Sequence, residues 1–221
     1  MSLQKEELVK YGSRAVAAGL VSGASGNVSA RDGNIVWLKP SGIPLDEMAV
    51  KDFCGVDLRT GDQISGKRRP TSDANMHIEI YRRRPDVAAV FNMHAPWTTG
   101  LVSAGVPINP VLVNFACDIG RFTTLQYQTP STLQMAQAVA EAAAHFDTIF
   151  MAHHGVIATG ASVRQAFYRC LTAEDNARAI AAASISGKPH FLNDEQINEI
   201  NSLRNLQHRT KIVEKGGDDN A

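Results

Sequence analysis

The dipeptide Asp32-Gly33 constrains the fold of this chain more than any other local feature. It lies between Val28-Ser29-Ala30-Arg31 and Ile35-Val36-Trp37-Leu38. An Asp-Gly pair between two strand-forming runs specifies a tight hairpin, because its left-handed turn matches the twist of the strands on either side. A second hairpin is expected from Phe53 to Leu58 and from Gln63 to Ser65, around Thr60-Gly61-Asp62. Hairpins this early argue for an antiparallel or mixed sheet over a doubly wound parallel one.

Helical signals surround these hairpins. Residues 3–20 carry Leu3, Leu8, Val9, Val16 and Leu20 among charged positions and close on Gly19, followed by a Gly/Ser-rich turn from Ser22 to Gly26. Residues 72–84 repeat the helical period, with Ser72 as N-cap and Pro85 as the stop. Val87-Ala88-Ala89-Val90-Phe91 reads as a buried strand, and Asp147 to Ala152 as another. Ser131-x-x-Gln134 and Ser162-x-x-Gln165 are capping-box signatures. The first opens an Ala-rich helix to about His145, the second a long helix to about Ser186. One α/β domain over 1–210 is predicted, with a polar tail at 211–221 expected to fray.

Charge and cysteine usage exclude several functions. Lys plus Arg and Asp plus Glu both number 22, so no general field favours nucleic acid or an anionic membrane. The run Arg82-Arg83-Arg84 reads as the basic end of a helix, favoured by the helix dipole. Cys54, Cys117 and Cys170 are widely spaced and form no C-x-x-C pair, which suits a reducing compartment. No secretory signal is visible at the start, and no apolar run approaches the ~20 residues of a membrane span. A soluble, cytoplasmic protein with neither nucleic-acid nor membrane partners is expected.

Two constellations carry candidate chemistry. Asn92 and His94 stand two apart at a strand end, so both side chains share one face. His154 ends a second apolar run just before Gly155, where a neighbouring backbone can approach closely. Asp73 lies in the first turn of its helix, with His77 one turn further on, and His153 should point away from His154 in extended chain. Imidazole and carboxylate groups suit a divalent cation, and the amide oxygen of Asn92 is a weaker, harder donor. The second set is Gly26-Asn27, Ser41-Gly42 and Thr71-Ser72, each offering backbone N–H groups and short polar side chains. Thr71-Ser72 also sit at a helix N-terminus, where unsatisfied N–H groups favour an anion such as phosphate. Taken singly, a strand-end histidine, a first-turn aspartate or a Gly turn is ordinary structure. No Gly-Lys-Ser/Thr or G-x-G-x-x-G motif supports ATP or dinucleotide use.

In order and spacing, the segments resemble the class II aldolase/adducin family from about residue 4 to about 200. The matching stretches are Ser25 to Arg31, Lys39-Pro40-Ser41-Gly42-Ile43-Pro44, Pro70-Thr71-Ser72-Asp73, Tyr81-x-x-x-Pro85-Asp86-Val87, and His153-His154-Gly155. The resemblance implies a three-layer α/β/α fold with a mixed, largely antiparallel central sheet. It implies that Gly26, Asn27, Ser41, Gly42, Thr71 and Ser72 hold a substrate phosphate. It further implies that His94 and His154 bind a divalent metal, with Asp73 as the active-site carboxylate and a further candidate ligand. Tyr127 matches a recurring Tyr–Thr segment. The departure is Asn92, where the family shows His-x-His; as a ligand it would favour a harder ion such as Mn²⁺ over the Zn²⁺ otherwise expected. The family's C-terminal tyrosine has no counterpart after Tyr168.

The resemblance thus implies a metal-dependent lyase, acting on a small sugar phosphate by reversible aldol cleavage of a ketose phosphate through a metal-stabilised enediolate. Alternatives are an epimerase, dehydratase or decarboxylase, or a non-catalytic adducin-like interaction module; a homotetramer is implied as well. With a cation as electron sink no Schiff-base lysine is needed, and no lysine is read as lying in an apolar run that would depress its pKa.

Overall fold

Eight strands and seven helices account for most of the computed structural model, which describes residues 3–203 together with Leu206 and Lys211. Apart from Lys211, the tail expected over 211–221 lies outside the described residues. The chain opens with α1 (Leu3–Ala17), then runs through two hairpins, β1 (Asn27–Asp32) with β2 (Ile35–Leu38), and β3 (Cys54–Asp57) with β4 (Gln63–Ser65). Next come α2 (Ala74–Arg83), β5 (Ala89–Met93), α3 (Pro96–Ser103), α4 (Val113–Asp118), β6 (Phe122–Leu125) and α5 (Leu133–Ala143). The remaining elements are β7 (Thr148–Met151), β8 (Gly155–Gly160), α6 (Val163–Ser186) and α7 (Asp194–Ser202).

All eight strands join one sheet in the order β4-β3-β2-β1-β5-β8-β7-β6. Among the described residues only the β6–β7 pair is parallel. The mixed, largely antiparallel sheet expected above is therefore present, with both hairpins in their predicted places. Helices cover both faces, which is why the central strands read as continuous apolar runs. Phe91, Met93, Phe150 and Val156 pack on one side with Leu8 and Tyr11 of α1 and Phe167 of α6. Their strand neighbours Val90, Ile149, Met151 and Ile157 pack on the other side with Met76 and Ile80 of α2 and Met135 and Val139 of α5. Full burial of a side chain such as Phe91 stabilises the fold by about 1.5–3 kcal/mol.

Two capping expectations are corrected. The N-cap of α2 is Asp73, not Ser72, and its side chain makes no capping bond. The N-cap of α5 is Thr132, whose hydroxyl accepts from Met135 N, not Ser131. An N-cap residue needs extended backbone, which Thr132 has at φ −94° and ψ 155°, whereas Ser131 is left-handed at φ 62°. Both shifts free a polar side chain for the pocket. The Ser162 cap of α6 is as expected, its side chain accepting from Gln165 N.

Helices α2 and α5 run parallel. Ser131, just before α5, donates to Asp73, the N-cap of α2, over 3.1 Å. At the far end Arg84, the C-cap of α2, donates to the Ala143 carbonyl that closes α5 over 2.9 Å. Both N-termini consequently open on the same end of the sheet.

Candidate active site

The site is built where β1, β5 and β8 end beneath those two helix N-termini. Asn27 and Asn92 face each other across the β1–β5 pairing, and Ile157 lies opposite Asn92 on β8. Asp73 is buried among them. Its Oδ2 accepts from Asn27 Nδ2 at 3.0 Å and from Asn92 Nδ2 at 3.3 Å, while its Oδ1 accepts from Ser131 Oγ at 3.1 Å. Three neutral donors from three separate segments thus fix one carboxylate.

The two histidines meet as expected. The rings of His94 and His154 stand 5.1 Å apart and nearly perpendicular. Gly155 makes this possible, since a Cβ there would collide with the carbonyl oxygen of Met93, so only glycine lets β8 approach the end of β5. His94 opens to solvent at the mouth, whereas His154 is buried. Protein packed round both rings lowers their pKa values. At His94 this desolvation is reinforced by His154 and, more weakly, by Lys39, and Asp73 pulls both rings the other way. Each imidazole is thereby biased to the neutral form that can bind a cation.

The donor set suits an open cation site. His154 Nδ1 and Asn92 Oδ1 are buried without a hydrogen-bond partner. Among the described residues, no three His, Cys, Asp or Glu side chains form a group that could hold a metal ion. A cation held by the histidine pair would therefore keep coordination positions for water or substrate oxygens. Asn92 turns Nδ2 towards Asp73 and, at a long 3.5 Å, towards His154 Nε2. His77 is turned away from the pair and fully buried; its ring joins Asn27 Oδ1 through Nε2 and Ser29 Oγ through Nδ1. The chain at His153 is a left-handed turn at φ 61° and not the extended segment expected; the side chain is exposed, with its ring 6.2 Å from that of Tyr127.

The phosphate-loop candidates also converge. Pro40 and Pro70 form an isolated antiparallel bridge, with Ser41 N donating to Arg69 O and Thr71 N to Lys39 O. Ser41-Gly42 and Thr71-Ser72 thus lie side by side, with Ser41, Gly42 and Ser72 exposed. Gly26 is left-handed at φ 66° and packs so closely that a Cβ would lie 2.8 Å from Val21. The side-chain amide of Asn27 is engaged by both Asp73 and His77.

Three contributors escaped the sequence reading. Lys39 is only 2% exposed, its ammonium donates to Ala24 O over 2.9 Å, and burial lowers its pKa. This corrects the expectation that no lysine is so placed: Lys39 directly follows β2 and is buried with its ammonium against the Ser22–Gly26 turn. Ser131 reaches Asp73 from left-handed backbone. Among the described residues, Ser131 and His153 are the non-glycine residues with positive φ, a conformation costing about 1–2 kcal/mol each. Glu174 is fully buried on α6 and accepts from Trp97 N, Thr98 N and Thr98 Oγ1. It thereby caps α3, which begins two residues after His94. A carboxylate four residues after Cys170 inside a long helix gave no sequence signal beyond its charge.

A family profile described as the Class II Aldolase and Adducin N-terminal domain matches residues 6–181. The chain belongs to this family. A 5-deoxy-D-ribulose 1-phosphate aldolase of Bacillus thuringiensis is 31% identical over 206 residues, covering 90% of this chain and 95% of the relative. An L-fuculose phosphate aldolase of Methanococcus maripaludis is 30% identical over 72% of this chain and 85% of its own length. A solved L-fuculose 1-phosphate aldolase structure superposes with a TM-score of 0.82 at 28% identity, covering 91% of this chain and 95% of that one. The class II aldolase resemblance, the α/β fold and the assignment as a lyase are all borne out.

Proposed function

We propose that the protein reversibly cleaves a small ketose 1-phosphate to a phosphorylated ketone and an aldehyde. The observation that carries this reading is the convergence of Asp73, His94 and His154 with three backbone-rich loops at two helix N-termini. The phosphoryl end would rest against Gly26, Ser41, Gly42, Thr71 and Ser72, where peptide N–H groups and the α2 dipole favour an anion. That anchoring would bring the carbon chain over Asp73. The Asp73 carboxylate takes the proton of the hydroxyl beyond the breaking bond and returns a proton to the carbon that leaves with the electrons, general acid–base work that contributes on the order of 10²–10⁴-fold. Asn27, Asn92 and Ser131 hold it during both transfers. Held by His94 and His154, with Asp73 and Asn92 as the further candidate donors, a divalent cation would supply Lewis-acid polarisation of the carbonyl, zinc being the first expectation and manganese the second.

The test is aldehyde release from a panel of pentulose and hexulose 1-phosphates, with zinc or manganese added to chelator-treated protein. Cleavage of at least one substrate, lost in Asp73→Asn, is expected. Release of carbon dioxide or a stereoisomer without aldehyde would redirect the assignment to a decarboxylase or epimerase. Equal behaviour of wild type and Asp73→Asn with every substrate and ion would refute it. A cytoplasmic homotetramer belongs to the same reading, and sedimentation velocity checks the assembly.

A further inference from the structure

Asp73 is oriented by a residue that neither the loop motifs nor the metal-ligand pattern includes. Ser131 lies in the segment between β6 and α5, 58 residues from Asp73, and its hydroxyl reaches Asp73 Oδ1 at 3.1 Å. Two independent features make this contact more than a surface accident. First, Ser131 holds a left-handed backbone at φ 62°, which non-glycine residues adopt only where the surroundings impose it. Second, the neighbouring Thr132 takes the capping role of α5, so the Ser131 hydroxyl is not spent on the helix end. Asn27 and Asn92 both approach Oδ2, which leaves Ser131 as the donor recorded on Oδ1.

We infer that Ser131 is a positioning residue for the reaction: the left-handed turn before α5 places its hydroxyl on Asp73 and fixes the plane of that carboxylate. The two carboxylate oxygens swing together about a terminal torsion that is broad and roughly two-fold. The Ser131 bond on Oδ1 adds an anchor opposite the two on Oδ2 and so narrows that swing from both sides. The inference rests on the aldolase reading, with Asp73 as the proton carrier. It adds a dependence of that carrier on the segment 126–132, which also carries Tyr127 against His153.

The experiment compares Ser131→Gly with wild type, because glycine accepts positive φ without strain and the variant loses the hydroxyl but not the turn. The expected result is a kcat for ketose 1-phosphate cleavage reduced about 10–100-fold with KM changed by less than about 2-fold. A Tm cycle gives a readout independent of turnover. Ser131→Gly should change Tm less favourably in the wild-type background than in Asp73→Ala, where the lost bond has no acceptor. Unchanged kcat in an active wild-type background, or identical Tm shifts in the two backgrounds, overturns the inference. A wild type that cleaves no ketose phosphate sinks the aldolase reading instead, and the Tm cycle still decides whether the two side chains are coupled.

Discussion

At the scale of single residues, the pocket rests on buried polar groups, and His77 is fully buried among them. Burial lowers its pKa from 6.5 to about 4, with Asp73 opposing the shift. The folded protein therefore keeps His77 neutral where the unfolded chain would bind a proton. Stability from this group is complete above pH 6.5 and is lost as pH falls towards 4, a swing on the order of 3 kcal/mol. Urea midpoints recorded from pH 7 to pH 4 should fall more steeply for wild type than for His77→Gln. Parallel curves would show that the histidine does not supply the slope. The same side chain shows where sequence reading reaches its limit. Asp73, His94 and His154 were recognisable because their order and spacing repeat a family pattern. The role of His77 was undecidable from helical spacing alone, since one turn after Asp73 it could face the cation or the sheet. Its pairing with Asn27 and Ser29 depends on β1 lying beneath α2, which is tertiary information.

Elements behave in the same way. The β1–β2 hairpin was legible because Asp-Gly turn chemistry is local, and the long helix α6 because its cap lies in one short motif. Strand β8 was not assigned, since Gly155–Gly160 is buried on both faces and shows no alternation. The start of α5 was misplaced by one residue because Ser131 and Thr132 are adjacent hydroxyls, and only backbone geometry chooses between them. Helix α3 was missed because its N-terminus is capped by Glu174, a residue far along the chain. This cap has an energetic consequence. Glu174→Ala strands the buried N–H of Thr98 and the partly buried N–H of Trp97 at the start of α3 and should destabilise the protein by about 3 kcal/mol, read as a lower denaturation midpoint. Because α3 follows His94 so closely, the variant should also bind divalent ions more weakly. Unaltered ion affinity would show that α3 can loosen without disturbing the histidine pair.

For the molecule as a whole, charge and architecture separate two jobs. The chain carries no net charge, so attraction for a phosphorylated substrate must be local. If the histidine pair holds a cation as proposed, occupancy should stabilise the fold through binding to the folded state alone. Chelator treatment is expected to lower Tm, with recovery on adding zinc or manganese. A Tm indifferent to both would place cation binding elsewhere or nowhere. No described helix is long and apolar enough to cross a membrane.

The parallel alignment of α2 and α5 has a consequence for how this scaffold tolerates change. In the proposed reading, attraction for an anion comes largely from peptide N–H groups at the N-termini of the two parallel helices, which no side-chain replacement deletes. Trimming a hydroxyl from the proposed anion cradle, as in Ser72→Ala, should therefore raise KM by no more than about 10-fold and leave kcat nearly intact, measured by steady-state kinetics. Mutational drift could then rewrite the walls that sort one sugar from another while the phosphoryl mooring persists.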